Sequence, residues 1–388
     1  MCIHKVYYYR AYPNIRERKY INGQHGSCRL IYNKSIHIWN HRYKTRGESL
    51  SFTKHISPLI AVARKSRKYG WMGQYESDAQ IASLRQAKTA ADRFMSKKGG
   101  FPKFKSRHGR QTSHHRYGIA IDAENGRARI QKLGWFKARI HRKPEGKLKE
   151  ITLIRNNLGQ YYIAARYEID REYPEPPKVV DEKKIIAIDL GIRDFAVLSN
   201  GMRIPNPHYL EKDLKYVRHL SKEVSRKVRG SNNYYDSLYK LGKLKKKIKN
   251  RRMHFHRNLI KYLVENFDVI IVEDLYPQEM LKEKNKRLNC AIYDCGWREF
   301  LTFLEYKCKE HGKHFIKVDK DFPSSQICSE CGYVNKDLKI HHRSWVCPHC
   351  MTRWDRDINA TKNLNKEGSK KLMASGCSIK KETSETSS

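Results

Sequence analysis

The sequence predicts a multidomain protein, α+β in its first half and α/β in its second. Three observations predict it. From Leu30 to Phe94 apolar residues recur at steps of three and four, the spacing of one helical face. Between residues 101 and 173 short alternating runs are punctuated by Asn-Gly and Leu-Gly turns, the pattern of an antiparallel sheet or barrel. From residue 181 onward apolar strands alternate with helical segments, which points to an α/β core.

The elements follow in order. KVYYYRAY reads as a strand within residues 1–20, Pro13-Asn14 as a turn, and helical spacing starts near Ile15. Residues 21–97 form a small helical domain, which Gly99-Gly100-Phe101-Pro102 breaks. The runs YGIAIDAENGRARIQ and KEITLIRNNLGQYYIAARYEI supply a sheet domain over 98–177, and the strand at 3–9 is placed to join it. Tyr173-Pro-Glu-Pro-Pro177 is a stiff linker. KKIIAIDLGIRDFAVLSNG then gives a buried strand, a turn containing Gly191 and a second strand. Between 211 and 261 there are 17 Lys or Arg against four acids, at helical spacing broken once at Gly230-Ser-Asn-Asn233, so two long basic helices are expected. FDVIIVEDL returns as a buried strand, YDCGWREFLTFLEYKCKEHG as an amphipathic helix, and KHFIKVDKDF as a further strand. The α/β domain covers 181–324 and 354–366, with an insertion at 325–353. Residues 367–388, rich in Lys, Ser, Thr and Glu, read as a disordered tail.

A formal charge of +40, from 80 Lys and Arg against 40 Asp and Glu, costs compactness unless a polyanion neutralises it. Nucleic acid is the natural polyanion. The basic residues are spread through foldable segments, so the binding surface is expected to be extensive. No apolar run reaches the roughly 18 residues of a membrane span, and MCIHKVYYYR lacks the apolar centre of a signal peptide. A protein inside a cell is expected, with reduced thiols. Cys2, Cys28, Cys290, Cys295, Cys308 and Cys377 are then ordinary buried or free cysteines.

Cys328-Ser-Glu-Cys331 and Cys347-Pro-His-Cys350 stand 15 residues apart. Two tight turns each presenting two thiolates close a tetrahedron around zinc with no open position. A redox CxxC is the competing reading, but it leaves the second pair without a purpose. His341, His342 and His349 are off the ligand pattern.

In so basic a chain, an acid on a buried strand needs a cation. Asp189 ends IIAID, Glu273 ends VIIVE, and Asp357 opens DINATKNL. Converging, they would make an oxygen-lined pocket for Mg²⁺ or Mn²⁺, and two such ions can drive phosphodiester hydrolysis. Each acid also has a plainer reading: Asp357, and more so Asp355, as a helix cap, Asp189 as a partner of its own turn, Glu273 as a partner of an arginine.

Taken together, IAIDLGIRDFAVLSNG, VEDL, DRDINATKNL and PSSQICSECG…VCPHC, with CRLIYNK, FPKFKSR and CGWREFLTFLEYKC, resemble the split RuvC-like nuclease of the TnpB (OrfB) family. That family is encoded by bacterial and archaeal insertion sequences and is ancestral to the type V CRISPR effectors. The resemblance implies an RNase H-like (RuvC) core with an inserted zinc ribbon, a β-barrel wedge domain at 1–20 and 98–177, and a helical recognition domain at 21–97. It implies an RNA-guided DNA endonuclease. A guide RNA and double-stranded target DNA would be its partners, in a prokaryotic cytoplasm and at the nucleoid, with one protein per RNA and no small-molecule substrate. Asp189, Glu273 and Asp357 become the magnesium ligands of a single cutting site, with Asp355 in support, and Cys328, Cys331, Cys347 and Cys350 hold structural zinc.

A guided protein leaves sequence reading to base pairing and needs mainly phosphate contacts. Lys245, Lys246, Arg251 and Arg252 on the basic helices are candidates. Arg343, Trp345 and Trp354 of the knuckle are candidates for the substrate strand. Gln80, in AQIASL, and Phe52 and Lys54 are candidates for reading the adjacent DNA motif; helix packing for Phe52 and a phosphate contact for Lys54 are the plainer alternatives. An RNA-guided repressor that does not cut, a transposase and a plain zinc-ribbon DNA-binding module are the competing functions.

Overall fold

The computed structural model describes residues 2–281, 285–339 and 342–380. The chain divides into two compact units, residues 1–172 and 173–388. The first contains β1 (Ile3–Ala11), α1 (Ile15–Arg46), α2 (Ser57–Lys65), α3 (Ser77–Met95), β2 (Gln111–His115), β3 (Ala120–Asp122), β4 (Arg127–Ile130), β5 (Gly134–Arg139), β6 (Lys147–Arg155) and β7 (Tyr161–Ile169). β1 does join the later strands: it pairs with β7 along its whole length, Ile3 opposite Ile169 and Ala11 opposite Tyr161. The sheet runs β2-β6-β7-β1-β5-β4-β3. Its first and last strands do not pair among the described residues, so it is a half-barrel rather than the closed barrel expected. Closure has no driving force at β2, because α1 and α3 already pack along that strand and shield its edge.

Helix α1 starts in a capping box, Asn14 Oδ1 accepting from the Glu17 amide and Glu17 accepting from the Asn14 amide. Its buried Ile31, Ile36 and Trp39 meet Leu84, Ala87 and Ala91 of α3 in a helical core of their own.

The second unit contains β8 (Val179–Asp181), β9 (Ile185–Leu190), β10 (Asp194–Leu198), β11 (Arg203–Pro205), α4 (Tyr209–Ser225), α5 (Asn232–Asn266), β12 (Val269–Glu273), α6 (Pro277–Met280), α7 (Lys286–Cys295), α8 (Trp297–Glu310), β13 (His314–Val318), β14 (Ser344–Val346), β15 (Arg353–Asp355), α9 (Arg356–Ala374) and β16 (Ser378–Lys380). The central sheet runs β11-β10-β9-β12-β13. β9, β10 and β11 form an antiparallel meander, and β12 and β13 add parallel to β9. Parallel strands need crossover helices that cover both faces. Here α5 and α8 cover one face and α9 the other.

Two expectations are corrected. The helix read through YDCGWREFLTFLEYKCKEHG is two helices, because Gly296 adopts φ +64°, closing α7 and opening α8. A side chain there would also crowd Arg252, whose Nε is 3.1 Å from the position of a Cβ. The tail read as disordered from 367 continues α9 to Ala374. Leu372 and Cys377 then bury in the core, and β16 pairs with β8. That apolar pair, spaced among lysines, is what secures the segment. Residues 381–388 lie outside the described residues.

Candidate metal centres and nucleic-acid surface

Alternation along a strand decides which face each side chain takes. Ile186, Ile188, Ile270 and Val272 pack under α5 and α8, whereas Ile185, Ala187, Val269 and Ile271 pack under α9. Asp189 and Glu273 share the parity of the second set, so both emerge on the α9 face. Ile188 stands opposite Val272 in the last pair of that register, so Asp189 and Glu273, each one residue further on, leave the sheet at the same end of two neighbouring parallel strands. Helix α9 brings Asp357 in its first turn. It lies so close to the sheet that a Cβ on Gly368 would come within 2.4 Å of the Ile271 side chain.

The electrostatics follow from that convergence. Burial, with the charges of Asp357 and Glu273, pushes the Asp189 carboxyl up to about 7. Burial also raises Glu273. Among the described residues no hydrogen bond and no ion pair reaches either side chain. Asp357 meets cations instead: Arg203 Nη1 lies 3.7 Å from one oxygen and Arg343 Nη1 3.7 Å from the other. Arg203 also bridges Asp194 at 2.9 Å and Asp355 at 2.7 Å. The capping role falls to Asp355, whose Oδ1 accepts from the amides of Asp357 and Ile358, both at 3.1 Å. Asp357 is thereby left free of that duty.

The donor set is hard oxygen, with Asp189 and Glu273 in no ion pair among the described residues and only Asp357 met by arginines, which fits Mg²⁺ or Mn²⁺. It is wider than a closed ligand shell. Groups whose ligating atoms all lie within 4.8 Å are, among the described residues, the four knuckle cysteines and Glu76, Asp78 and His115. An open arrangement suits ions that retain several waters. The Glu76 group satisfies itself: His115 Nδ1 is 2.6 Å from one Glu76 oxygen, the Lys132 amide donates to the other, and the Arg116 amide donates to Asp78.

The sulfurs of Cys328 and Cys350, and of Cys331 and Cys347, are 3.6 Å apart. A tetrahedron with zinc–sulfur bonds of about 2.3 Å has edges of roughly 3.8 Å, so the four thiols fit zinc. The β14–β15 hairpin carries the second pair, and Trp345 faces Trp354 across it. Both indoles are buried with Cys328, Leu338 and Cys347, and Trp354 Nε1 donates to the Cys328 sulfur at 3.2 Å. That corrects the expectation that Trp345 and Trp354 lie beside a substrate strand. They are the knuckle's own core, because so short an insertion has little else to bury. Arg343 is exposed, at the Asp357 carboxylate. His342 and His349 lie outside the cysteine group, and His341 lies outside the described residues.

A connection that sequence reading missed ties knuckle to helix. Buried Asn359 accepts from the Ser329 amide at 2.9 Å and donates to Ile327 O at 2.6 Å. Asn363 donates to Ser324 O and Ile327 O, and Lys366 donates to Ser329 O. The stripe 359, 363, 366 at helical spacing in DINATKNLNK was the available signal. Arg203 was also missed, and nothing local marks it, since its acids come from β10, β15 and α9.

The remaining candidates divide by burial. Gln80 is 1 % exposed, its amide donating to Met72 O at 2.8 Å, and Phe52 is 3 % exposed in the helical core. Neither can read DNA where it stands; Ile81 takes the outward position and Lys54 is exposed. Arg252 donates to Tyr293 O at 2.9 Å and approaches Glu299, so it clasps the end of α7. Arg251 pairs with Asp213 at 3.5 Å, linking α5 to α4. Lys245 is exposed and Lys246 half-buried on α5.

Three family models match in chain order: a helix-turn-helix domain over 1–48, the OrfB model described as "Probable transposase" over 165–284, and the Cas12f1-like TNB domain over 297–364. The last two span the strands carrying Asp189 and Glu273, and the knuckle with Asp357. The chain belongs to the TnpB (OrfB) family. This TnpB-family chain is 28 % identical to a Streptomyces pristinaespiralis protein, over 97 % of its own length and 91 % of the relative's. It is 26 % identical to InsQ of Escherichia coli K12, over 93 % and 92 %. Both relatives carry the name "Putative RNA-guided DNA endonuclease". Its fold matches a structure described as a Cas12f1-sgRNA-target DNA complex, with a TM-score of 0.56 over 94 % of this chain and 99 % of that one at 13 % identity. No helix among the described residues is long and apolar enough to cross a membrane.

Proposed function

We propose that this protein is an RNA-guided DNA endonuclease. It binds a guide RNA, engages a short DNA motif beside the target and hydrolyses phosphodiesters at one RuvC-type site using Mg²⁺ or Mn²⁺. The observation that carries the reading is the placement of Asp189 and Glu273 at the same end of adjacent parallel strands, each one residue past the last register pair, next to Asp357, with Asp189 held above its ordinary value by burial and by the other two acids despite the charges of Arg356 and Arg343. So costly a cluster in a protein of charge +40 is explained by a divalent ion. The family membership and the names of the relatives support the same activity.

In this reading Asp189, Glu273 and Asp357 would hold the ion, which would supply water activation and charge stabilisation at the leaving oxygen. Asp355 fixes the first turn of α9 and so aims Asp357. Arg203 holds Asp355 in place and offsets the charges of Asp194, Asp355 and Asp357. Arg343, exposed at the rim, meets the phosphate backbone. Zinc on Cys328, Cys331, Cys347 and Cys350 steadies the knuckle, and the asparagine stripe passes that rigidity to α9. The strand is admitted by exposed cations such as Lys245 through phosphate contacts that carry no sequence preference.

The test is purified protein with RNA from its flanking locus, matched target DNA and Mg²⁺, beside Asp189→Ala. Cutting by the parent and not the variant is expected. Persistent cutting by Asp189→Ala rejects the site, and RNA-dependent binding without cutting by the parent replaces this reading with a repressor.

A further inference from the structure

The half-barrel sheet presents its second face to solvent. Tyr7, Tyr9 and Ala11 of β1, Ile163 and Ala165 of β7, and Phe136 and Ala138 of β5 turn into the core, so alternation sends Tyr8, Arg10, Tyr162, Lys137 and Arg139 to the other side. There the rings of Tyr8 and Tyr162 stack, with centroids 5.1 Å apart and planes 25° from parallel. The Arg10 guanidinium lies 4.7 Å over the Tyr162 ring and 5.6 Å over that of Tyr12. Tyr8, Tyr162, Arg10 and Tyr12 thus form one column of flat groups across β1 and β7. Its end members are half exposed, Tyr8 at 49 % and Tyr12 at 48 %, so ring surface is open at both ends.

The charges point the same way. Arg10 stands directly opposite Arg139 in the β1–β5 ladder, and like charges so placed repel. Lys137 is exposed on the same face, and Arg110 lies close enough to Tyr8 to pull its hydroxyl toward ionisation, against burial. Among the described residues Arg10, Arg110, Lys137 and Arg139 are in no ion pair. The acids of this face, Glu150 and Glu168, sit toward the other end of the strands, with His114, Arg116, Lys149 and Arg166. A polyanion laid between Arg10 and Arg139 turns their repulsion into attraction.

An acidic peptide would neutralise the arginines and leave the stacked rings idle. A double helix would bring phosphates, but its bases are already stacked on one another. Unpaired bases with their phosphates satisfy both features, since they stack on aromatic rings and on guanidinium planes. Target DNA enters paired, whereas an RNA carries loops and ends that are unpaired from the outset. The Tyr8 and Tyr12 hydroxyls can also donate to, or accept from, a ribose 2′-OH.

We propose that the column on β1 and β7 receives an unpaired stretch of RNA, its bases continuing the stack at Tyr8 and Tyr12 and its phosphates at Arg10, Arg110 and Arg139. This rests on the guide-RNA part of the function proposed above and names a base-stacking site for it on the first unit.

The experiment uses the full chain in magnesium-free buffer, so that cutting plays no part, with unstructured RNA and DNA ten-mers of one sequence and an RNA duplex. Each single strand carries one 5-iodouracil, which light joins to a stacked aromatic ring, and mass spectrometry locates the join. Attachment of RNA at Tyr8 or Tyr12 is expected. Tyr8→Ala and Tyr12→Ala should each weaken binding of unpaired RNA roughly 5-fold or more and leave duplex RNA almost unaffected, while Tyr8→Phe, which keeps the ring, should retain most of the affinity. Arg139→Gln should lower the slope of log affinity against log salt by about 0.7 without lowering the melting temperature, because it removes a repulsion. Tyr117→Ala, exposed in the same unit and outside the column, should change none of these. If RNA attaches elsewhere on the parent, or if both alanine variants keep the parent's melting temperature and its affinity for unpaired RNA, the proposal is overturned while the proposed function stands. Equal attachment of the DNA strand at the column overturns the assignment to RNA. A parent that binds no RNA overturns both.

Discussion

Asn359 offers the sharpest test of the link between knuckle and α9. Its side chain is fully buried and is the partner of the buried Ser329 amide, as well as a donor to Ile327 O and, at 3.4 Å, to Ser325 O. Replacement by Leu, of similar volume, orphans that amide, a loss of about 1–3 kcal/mol. Ile327 O keeps the Asn363 bond, so the carbonyl side adds less, and the total is roughly 2–3 kcal/mol. For a unit of about 200 residues this lowers the melting temperature by roughly 4–12 °C. Asn359→Asp retains an acceptor for Ser329 and loses only the donors, so its effect should be smaller in amide exchange at Ser329. Calorimetry gives the stability, exchange gives the locality, and release of zinc to a chelator reports the knuckle. The Leu variant should exchange Ser329 faster, release zinc faster and cut more slowly. If its melting temperature stays within about 1 °C of the parent's and its zinc release is unaltered, the knuckle is not fastened through this residue.

Cys347→Ser should abolish stoichiometric zinc, read by metal analysis, and lower both melting temperature and cutting; full zinc content in the variant would refute the four-thiol site. In magnesium-free buffer the acid cluster sets a pH dependence. The unfolded Asp189 loses its proton near 3.9 and the folded one near 7, so folding is favoured below about pH 4, weakens as pH rises to about 7, and is level above. The upper bound is roughly 4 kcal/mol at about 1.4 per pH unit. Asp189→Asn should flatten that slope in melts from pH 4 to 8, and a variant with the parent's slope refutes it. Phe52→Ala should destabilise by about 3–5 kcal/mol as a core deletion, while Lys54→Ala should leave melting unchanged and lower the salt dependence of DNA binding. The reverse pattern would return Phe52 to the DNA surface.

The elements of both units were legible in the sequence because they rest on local periodicity: alternation in the half-barrel strands, helical spacing in the two basic helices of the second unit, and turn residues between them. The four-thiol cluster was legible because two thiol pairs at short spacing encode their own geometry. The break at Gly296 was less so, since apolar spacing runs across it and only a positive φ interrupts the helix. Gln80 was misjudged as a surface residue for a related reason, while Phe52 took the plainer alternative, helix packing. A polar residue on an amphipathic helix looks outward in sequence, and only the packing of α3 against α1 turned Gln80 inward.

By itself, then, the sequence determined what forms locally: which segments are strands and helices, that thiols can hold zinc, and that an excess of positive charge needs a polyanion. The tertiary structure alone decided what meets across distance. Parallel register set Asp189 beside Glu273, the close fit at Gly368 brought Asp357 over the same face, and Arg203 gathered acids from three elements. The physical reason is that periodicity arises within one element from its own backbone geometry, whereas a shared ion or a shared arginine depends on which faces pack together, and that is settled by the burial of the whole core.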